Sequence, residues 1–246
     1  MKRVGNQVLA SILVNAIYEM KNYPVVLLNT VLSPLSFLVL IFLISDGALL
    51  GEAILGGLIM SMFQSGISLQ SDLSHLKNDF KLQEIVVSSP TSSAVYVAGM
   101  ALSEIIYSSP AIIILAILFA LVINVPFIQV AGIVIILLMV FLSSVALSFA
   151  LSTLSTDIVQ SYSFSRLITI LFTSLAPVYY PVTLIPEPLQ PLAYLSPTTY
   201  AAQLAQHMAG LTQVSSGMFV FDWAVLLIFT AVFLWVGYRK ARWRDV

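Results

Sequence analysis

Few side chains in this 246-residue chain have types and spacings that could do chemistry. The only histidines, His75 and His207, lie far apart, and there is no cysteine. That pattern speaks against disulfides, thiolate chemistry and a zinc site. Serines are plentiful, but none sits in G-x-S-x-G, and neither H-E-x-x-H nor a glycine-rich phosphate loop with its lysine occurs. A serine nucleophile would need a His or Lys base beside it. The two acids that stand out are Glu104 and Asp222, because each borders a long apolar run. An ionisable group among apolar residues is a candidate for coupling, binding or proton transfer.

The elements that must position these residues follow from composition. Apolar residues make up 59% of the chain and charged ones 9%. A soluble domain carries about 25% charged residues, so this chain cannot cover a water-exposed surface of its size. A soluble enzyme, a nucleic-acid binder and a disordered protein are all excluded on that ground. The fold class expected is an all-α membrane protein of one domain, residues 1–246.

Six spans are expected, at about 25–44, 51–69, 103–123, 130–154, 162–180 and 219–238. The fifth apolar run, 167–180, would cover only about 21 Å as a helix, short of a hydrocarbon core of roughly 30 Å. It must therefore start earlier, near Tyr162, or be followed by a segment that re-enters the membrane. With six spans, all ten basic residues fall on one side. Lys2, Arg3 and Lys21 precede the first span, and Lys77 and Lys81 follow the second. Arg166 follows the fourth, and Arg239, Lys240, Arg242 and Arg244 follow the sixth. The loops at 45–50, 124–129 and 183–218 contain none. The positive-inside rule then places both termini in the cytoplasm, with the chain in the cell membrane. In this frame Glu104 heads the third span, where it either reaches headgroup water or enters the pathway. Asp222 is expected at the outer interface.

Residues 1–22 resemble a signal peptide only in Lys2 and Arg3. Asn6, Gln7, Ser11, Asn15 and Glu19 interrupt the apolar residues, which recur at helical spacing, so an amphipathic interfacial helix is expected. Gly57, Ser61 and Ser65 form a small-residue stripe in the second span, and Ser144, Ser148 and Ser152 form another in the fourth. Such stripes let helices approach closely, through packing or along a pathway. In the cytoplasmic loop 70–93, Asp79 is placed to cap a short helix from Phe80 to about Val87, stopped before Pro90. Outside, six prolines between Ala176 and Gln206 rule out one continuous helix. That stretch stays apolar, so a re-entrant external hairpin is expected in 181–218. Tyr179, Tyr180 and Tyr194 suit headgroup depth.

At these residues the chain resembles the permease subunits of ABC-2 type transporters. Tyr180-Pro181, then Pro186-Glu187-Pro188 and Ser196-Pro197-Thr198-Thr199-Tyr200, are similar to the family's pattern after its fifth span. Asp79 to Pro90 is similar to its acidic loop before the third. The family often has Arg at the position of Gln206, and Gly-Thr at Lys81-Leu82, while Glu84 fits. The resemblance implies a non-enzymatic permease subunit of an ATP-driven exporter. A separate ABC ATPase would carry ATP and Mg, and this chain would bind no cofactor itself. A second permease subunit would complete a homo- or heterodimer among membrane lipids, with no nucleic acid. Asp79, Phe80, Lys81, Leu82, Glu84 and Pro90 would form the ATPase-coupling loop. Tyr179, Tyr180, Pro181, Pro186, Pro197 and Tyr200 would shape the external hairpin. Two rivals stand beside it. A secondary transporter or channel would be expected to show inverted repeats and buried coupling sites. An intramembrane enzyme or assembly factor would need polar groups at a cavity.

Overall fold

The structure, a computed structural model, describes residues 2–78, 93–152, 157–174 and 176–240. Among these residues it is all helical, without a strand. Helix α1 (Lys2–Ile12) runs through a π turn at Leu13–Ile17 into α2 (Tyr18–Asn22). Pro24 then opens α3 (Pro24–Ile44) at its first turn, where the missing N–H costs no helical bond. The turn to α4 (Leu50–Asn78) is tight. Gly47 takes φ +81° there, and its N–H bonds back to the Phe42 carbonyl at 2.9 Å. Next come α5 (Ser93–Val122), α6 (Phe127–Ser152) and α7 (Ile158–Ser174). Two 3₁₀ turns, Val182–Leu184 and Glu187–Leu189, lead into the short α8 (Gln190–Ala193). Helices α9 (Pro197–Met208) and α10 (Ser216–Lys240) complete the chain.

Among the described residues, five helices are long and apolar enough to cross a bilayer: α3, α4, α5, α6 and α10. They are not equivalent. The apolar window of α4 is 89% buried, against 11% for that of α3 and 17% for that of α10. Helix α4 is therefore the axis of the bundle, and α3, α5, α6, α7 and α9 pack around it. Ile59, Phe63, Leu115, Ile136, Leu204 and Leu226 meet in the core. The exposed leucines and isoleucines of α3, α5 and α10 suit hydrocarbon rather than water. The N-terminal helices pack on the protein itself. Ser11 of α1 approaches Gly99 of α5, and Ala16 is fully buried.

Three boundaries differ from the sequence expectation. Helix α5 starts at Ser93, about three turns before the span expected from residue 103. Helix α4 runs to Asn78 rather than ending at residue 69. Helix α7 covers Ile158–Ser174 instead of 162–180. It starts early because the Asp157 carboxylate accepts the Gln160 N–H at 2.7 Å and caps the helix. It stops early because Pro177 bars helical geometry from the residue before it.

Candidate functional site

Several polar residues of α3, α4 and α5 converge in one place. Between α3, α4 and α5 lies a cavity of about 240 Å³. Helix α3 lines it with Asn29, Thr30 and Ser33, and α4 with Ser61, Gln64, Ser65 and Ser68. Helix α5 adds Glu104, Tyr107 and Ser108. Glu104 is buried, and it accepts a hydrogen bond from Ser68 Oγ. It lies about three turns into α5, which begins at Ser93. A buried carboxyl needs such partners, because stripping its water without replacement is costly. Ser65 Oγ donates to the Ser61 carbonyl at 2.7 Å, whereas Ser61 Oγ has no partner among the described residues.

Pro34 and Pro110 sit inside α3 and α5 beside this cavity. Each lacks the N–H that would bond to the carbonyl four residues back, those of Thr30 and Ile106. The regular helical ladder is thus interrupted in both helices at the height where the lining is polar. At membrane depth such backbone is tolerated only against protein or a wet cavity.

The segment between α7 and α9, expected to be external, is seated directly on the bundle. Ala176, Val178 and Tyr179 are buried, and Tyr179 stacks on Phe37 of α3 with ring centroids 5.1 Å apart. The backbone of Val178 and Tyr179 lies so close to Gly56 that a Cβ there would stand 2.5 Å from the Val178 carbonyl oxygen. Tyr180 and Pro181 are half-buried, and Pro186 is exposed. The turn into α9 is a hydrogen-bonded knot. Ser196 is extended, as the residue before a proline prefers, and Pro197 takes the first helical turn. Thr199 Oγ1 donates to the Ala193 carbonyl, and Tyr200 Oη to the Tyr194 carbonyl at 2.9 Å. Gln203 Nε2 donates to Tyr194 Oη at 3.2 Å. Helix α9 then packs against α4, α6 and α10 and buries Thr198 through Gln206.

The two small-residue stripes meet different neighbours. Gly57 faces Leu115 of α5, while Ser61 and Ser65 line the cavity. Ser144 abuts Gly66, Ser148 Oγ donates to the Ile67 carbonyl at 3.2 Å, and Ser152 Oγ donates to the Phe149 carbonyl at 2.8 Å. Gly56 and Gly66, where the closest approaches occur, were not among the residues singled out from spacing. Their signal was the glycine itself on a helix with room for larger side chains elsewhere. Asp79, Phe80, Lys81, Leu82, Glu84 and Pro90 lie outside the described residues.

Asp222 is 1% exposed, and neither carboxylate oxygen has a hydrogen-bond partner among the described residues. An unpaired buried charge destabilises, and a neutral isostere relieves it. Asp222→Asn is therefore expected to raise the Tm of the purified protein in detergent by a few degrees, for a gain of about 1 kcal/mol. A fall of similar size would mean that the carboxylate is paired in the membrane.

Residues 7–209 match a family model described as ABC-2 type transporter. No curated protein matches the chain.

Proposed function

From the premise that this chain belongs to the ABC-2 type transporter family, we propose that it is the permease subunit of an ATP-driven exporter in the cell membrane. As a member it is a multi-pass membrane protein and a permease component of an ABC-type transporter. The observation that carries the reading is the match over 7–209 falling on a bundle of apolar helices around a buried α4. In the proposed arrangement α7 is the fifth of six spans. Its 17 residues lie at the short end of the range that crosses a bilayer. The N-terminal helices would lie on the cytoplasmic surface, and both termini would be inside. The external segment, with Tyr179 packed on α3 and α9 inserted among α4, α6 and α10, would dip into the outer leaflet as the re-entrant hairpin.

Energy would come from a separate ATPase, because the chain has no phosphate-binding loop of its own. The loop from Asp79 to Pro90, with Phe80, Lys81, Leu82 and Glu84, would receive the push on the cytoplasmic side. ATP-driven closure of two ATPases would bias a pair of permease subunits between inward- and outward-facing packings. The chain itself would perform no covalent step.

Affinity purification of the tagged chain in mild detergent tests this reading. A co-purifying ATP-binding subunit supports it. ATP-independent transport by the chain alone in liposomes would overturn it. In the assembled complex, Glu84→Arg is expected to cut transport-stimulated ATP hydrolysis about tenfold while membrane insertion stays intact. A charge reversal at a docking surface costs a few kcal/mol. Undiminished coupling would remove Glu84 from the contact.

A further inference from the structure

We propose that the cavity between α3, α4 and α5 is a binding site for a small neutral polyol, held by hydroxyl and amide groups rather than by charge. The site goes beyond the transport reading, since binding there needs neither ATP nor a partner.

Four observations converge. The first is the space. The cavity holds about 240 Å³, below the roughly 300–1,000 Å³ of sites for drug-sized ligands, so its guest is compact. The second is the lining, which lies within the apolar windows of three helices. Among the described residues that form it, only Ala111 lacks a polar side chain, and none is Lys, Arg or His. The third is the direction of its hydrogen bonds. Ser65 Oγ donates to the Ser61 carbonyl at 2.7 Å, and Ser68 Oγ donates to Glu104. A hydroxyl whose proton is spent on the protein keeps lone pairs, so these two serines accept from a guest. The amides of Asn29 and Gln64 both donate and accept. A guest must therefore donate to some groups and accept from others within a few ångströms, and a hydroxyl does both at one atom. The fourth is an orphan. Ser61 Oγ lines the cavity on a residue only 5% exposed and has no partner among the described residues. Buried polar atoms are nearly always paired, so this one marks a place for a guest atom.

The other classes of guest fit less well. An anion finds no cation in the lining. An organic cation finds no firm counter-charge, because Glu104 is engaged by Ser68 and Asp72 and burial favours the uncharged form of a carboxyl. An apolar guest leaves the hydroxyls and amides unpaired. Water satisfies the same groups one molecule at a time, whereas a polyol brings several hydroxyls for the ordering of a single molecule.

The test is equilibrium dialysis of radiolabelled xylitol against the purified full chain in phosphatidylcholine nanodiscs, with empty nanodiscs as background. One saturable site per chain is expected, with a Kd below about 1 mM. Excess pentylamine or valerate, charged chains of the same carbon number, should not displace it. Gln64→Leu removes a donor and an acceptor and is expected to weaken binding about tenfold. Ser61→Ala should weaken it severalfold with an unchanged or higher Tm, since an unpaired buried hydroxyl is lost, which separates loss of the site from loss of the fold. Glu104→Gln keeps the shape of the uncharged acid and should leave the affinity within about twofold. Absence of saturable binding to the wild-type chain would mean a cavity filled by water only and would overturn the proposal. So would displacement by pentylamine or valerate as effective as that by unlabelled xylitol, or a tenfold loss in Glu104→Gln. Unchanged affinity in both Gln64→Leu and Ser61→Ala would also overturn it, because xylitol would then be held elsewhere. None of these outcomes bears on whether an ATPase co-purifies.

Discussion

Gly66→Val is expected to be the most damaging single substitution in the bundle. A Cβ at residue 66 would stand 1.9 Å from Ser144 Oγ and 2.9 Å from the Val145 backbone nitrogen. Rotation of Ser144 relieves the first clash, but the second is with backbone, so α4 and α6 must separate. Among the described residues that pair has the most extensive helix–helix interface, and Ser148 Oγ donates across it to the Ile67 carbonyl at 3.2 Å. Forcing extra methyl groups into such a contact costs about 3 kcal/mol or more. A chain of this size should then lose roughly 5–10 °C in Tm and much of its monodisperse yield. The measurement is a fluorescence-detected thermal melt in detergent. Gly217→Ala serves as the control, because nothing lies within 4 Å of a Cβ there. Pairing Gly66→Ala with Ser144→Gly should recover part of the loss that Gly66→Ala causes alone, which localises the effect to this contact. Equal melting of Gly66→Val and the control would mean that α4 and α6 are not packed as described.

Gly56→Val is expected to unseat the external segment while leaving the rest of the bundle folded. Its Cβ would meet the Val178 carbonyl oxygen at 2.5 Å and the Tyr179 Cα at 2.8 Å. Both are backbone atoms of a non-helical stretch, so that stretch moves more easily than α4 does. Tyr179 would lose its stacking on Phe37, and the fully buried Val178 would be uncovered. The absence of native cysteine makes this measurable. In Val178→Cys the thiol should react slowly with a membrane-impermeant maleimide. Adding Gly56→Val should raise that rate at least about tenfold, because local opening controls access. In intact cells the same reagent also reports the side of the membrane, and the proposed topology requires labelling from outside. Export should fall with the opening if the hairpin closes the outer end of the pathway. Unchanged labelling would show that Gly56 is not what seats the segment.

Much of the architecture was legible from the chain, and the parts that were not have a common cause. Within an α-helix, four residues advance the face by about 400°, so a stripe at that spacing drifts by about 40° at each step. The stripe of Gly57, Ser61 and Ser65 therefore runs from Leu115 to the cavity wall. Gly66, one residue on and about 100° around, meets α6 instead. Spacing identified small residues but not which of them touch backbone. The fifth expected span, α7, was misplaced by a few residues at both ends, since its start rests on the Asp157 cap and its end on Pro177. Glu104 was expected either at headgroup water or in the pathway, and its burial beside Ser68 needed the packing of α4 on α5. The apolar stretch 94–102 was not joined to the run after Glu104 because Ser103 and Glu104 interrupt the two.

Class was written in the order of residues because hydrocarbon offers no hydrogen bonds. Each span must satisfy its own backbone and show some twenty apolar residues, and the basic residues must stay on one side. The same demand hides everything else. A helix that is apolar on all faces carries no contrast between the side facing lipid and the side facing protein. The central place of α4, the seating of Val178 on Gly56 and the burial of Asp222 thus came from packing alone. So did the meeting of Glu104 with Ser68 across two helices. Those arrangements depend on which helix lies beside which, and residues far apart in the chain settle that through close contact.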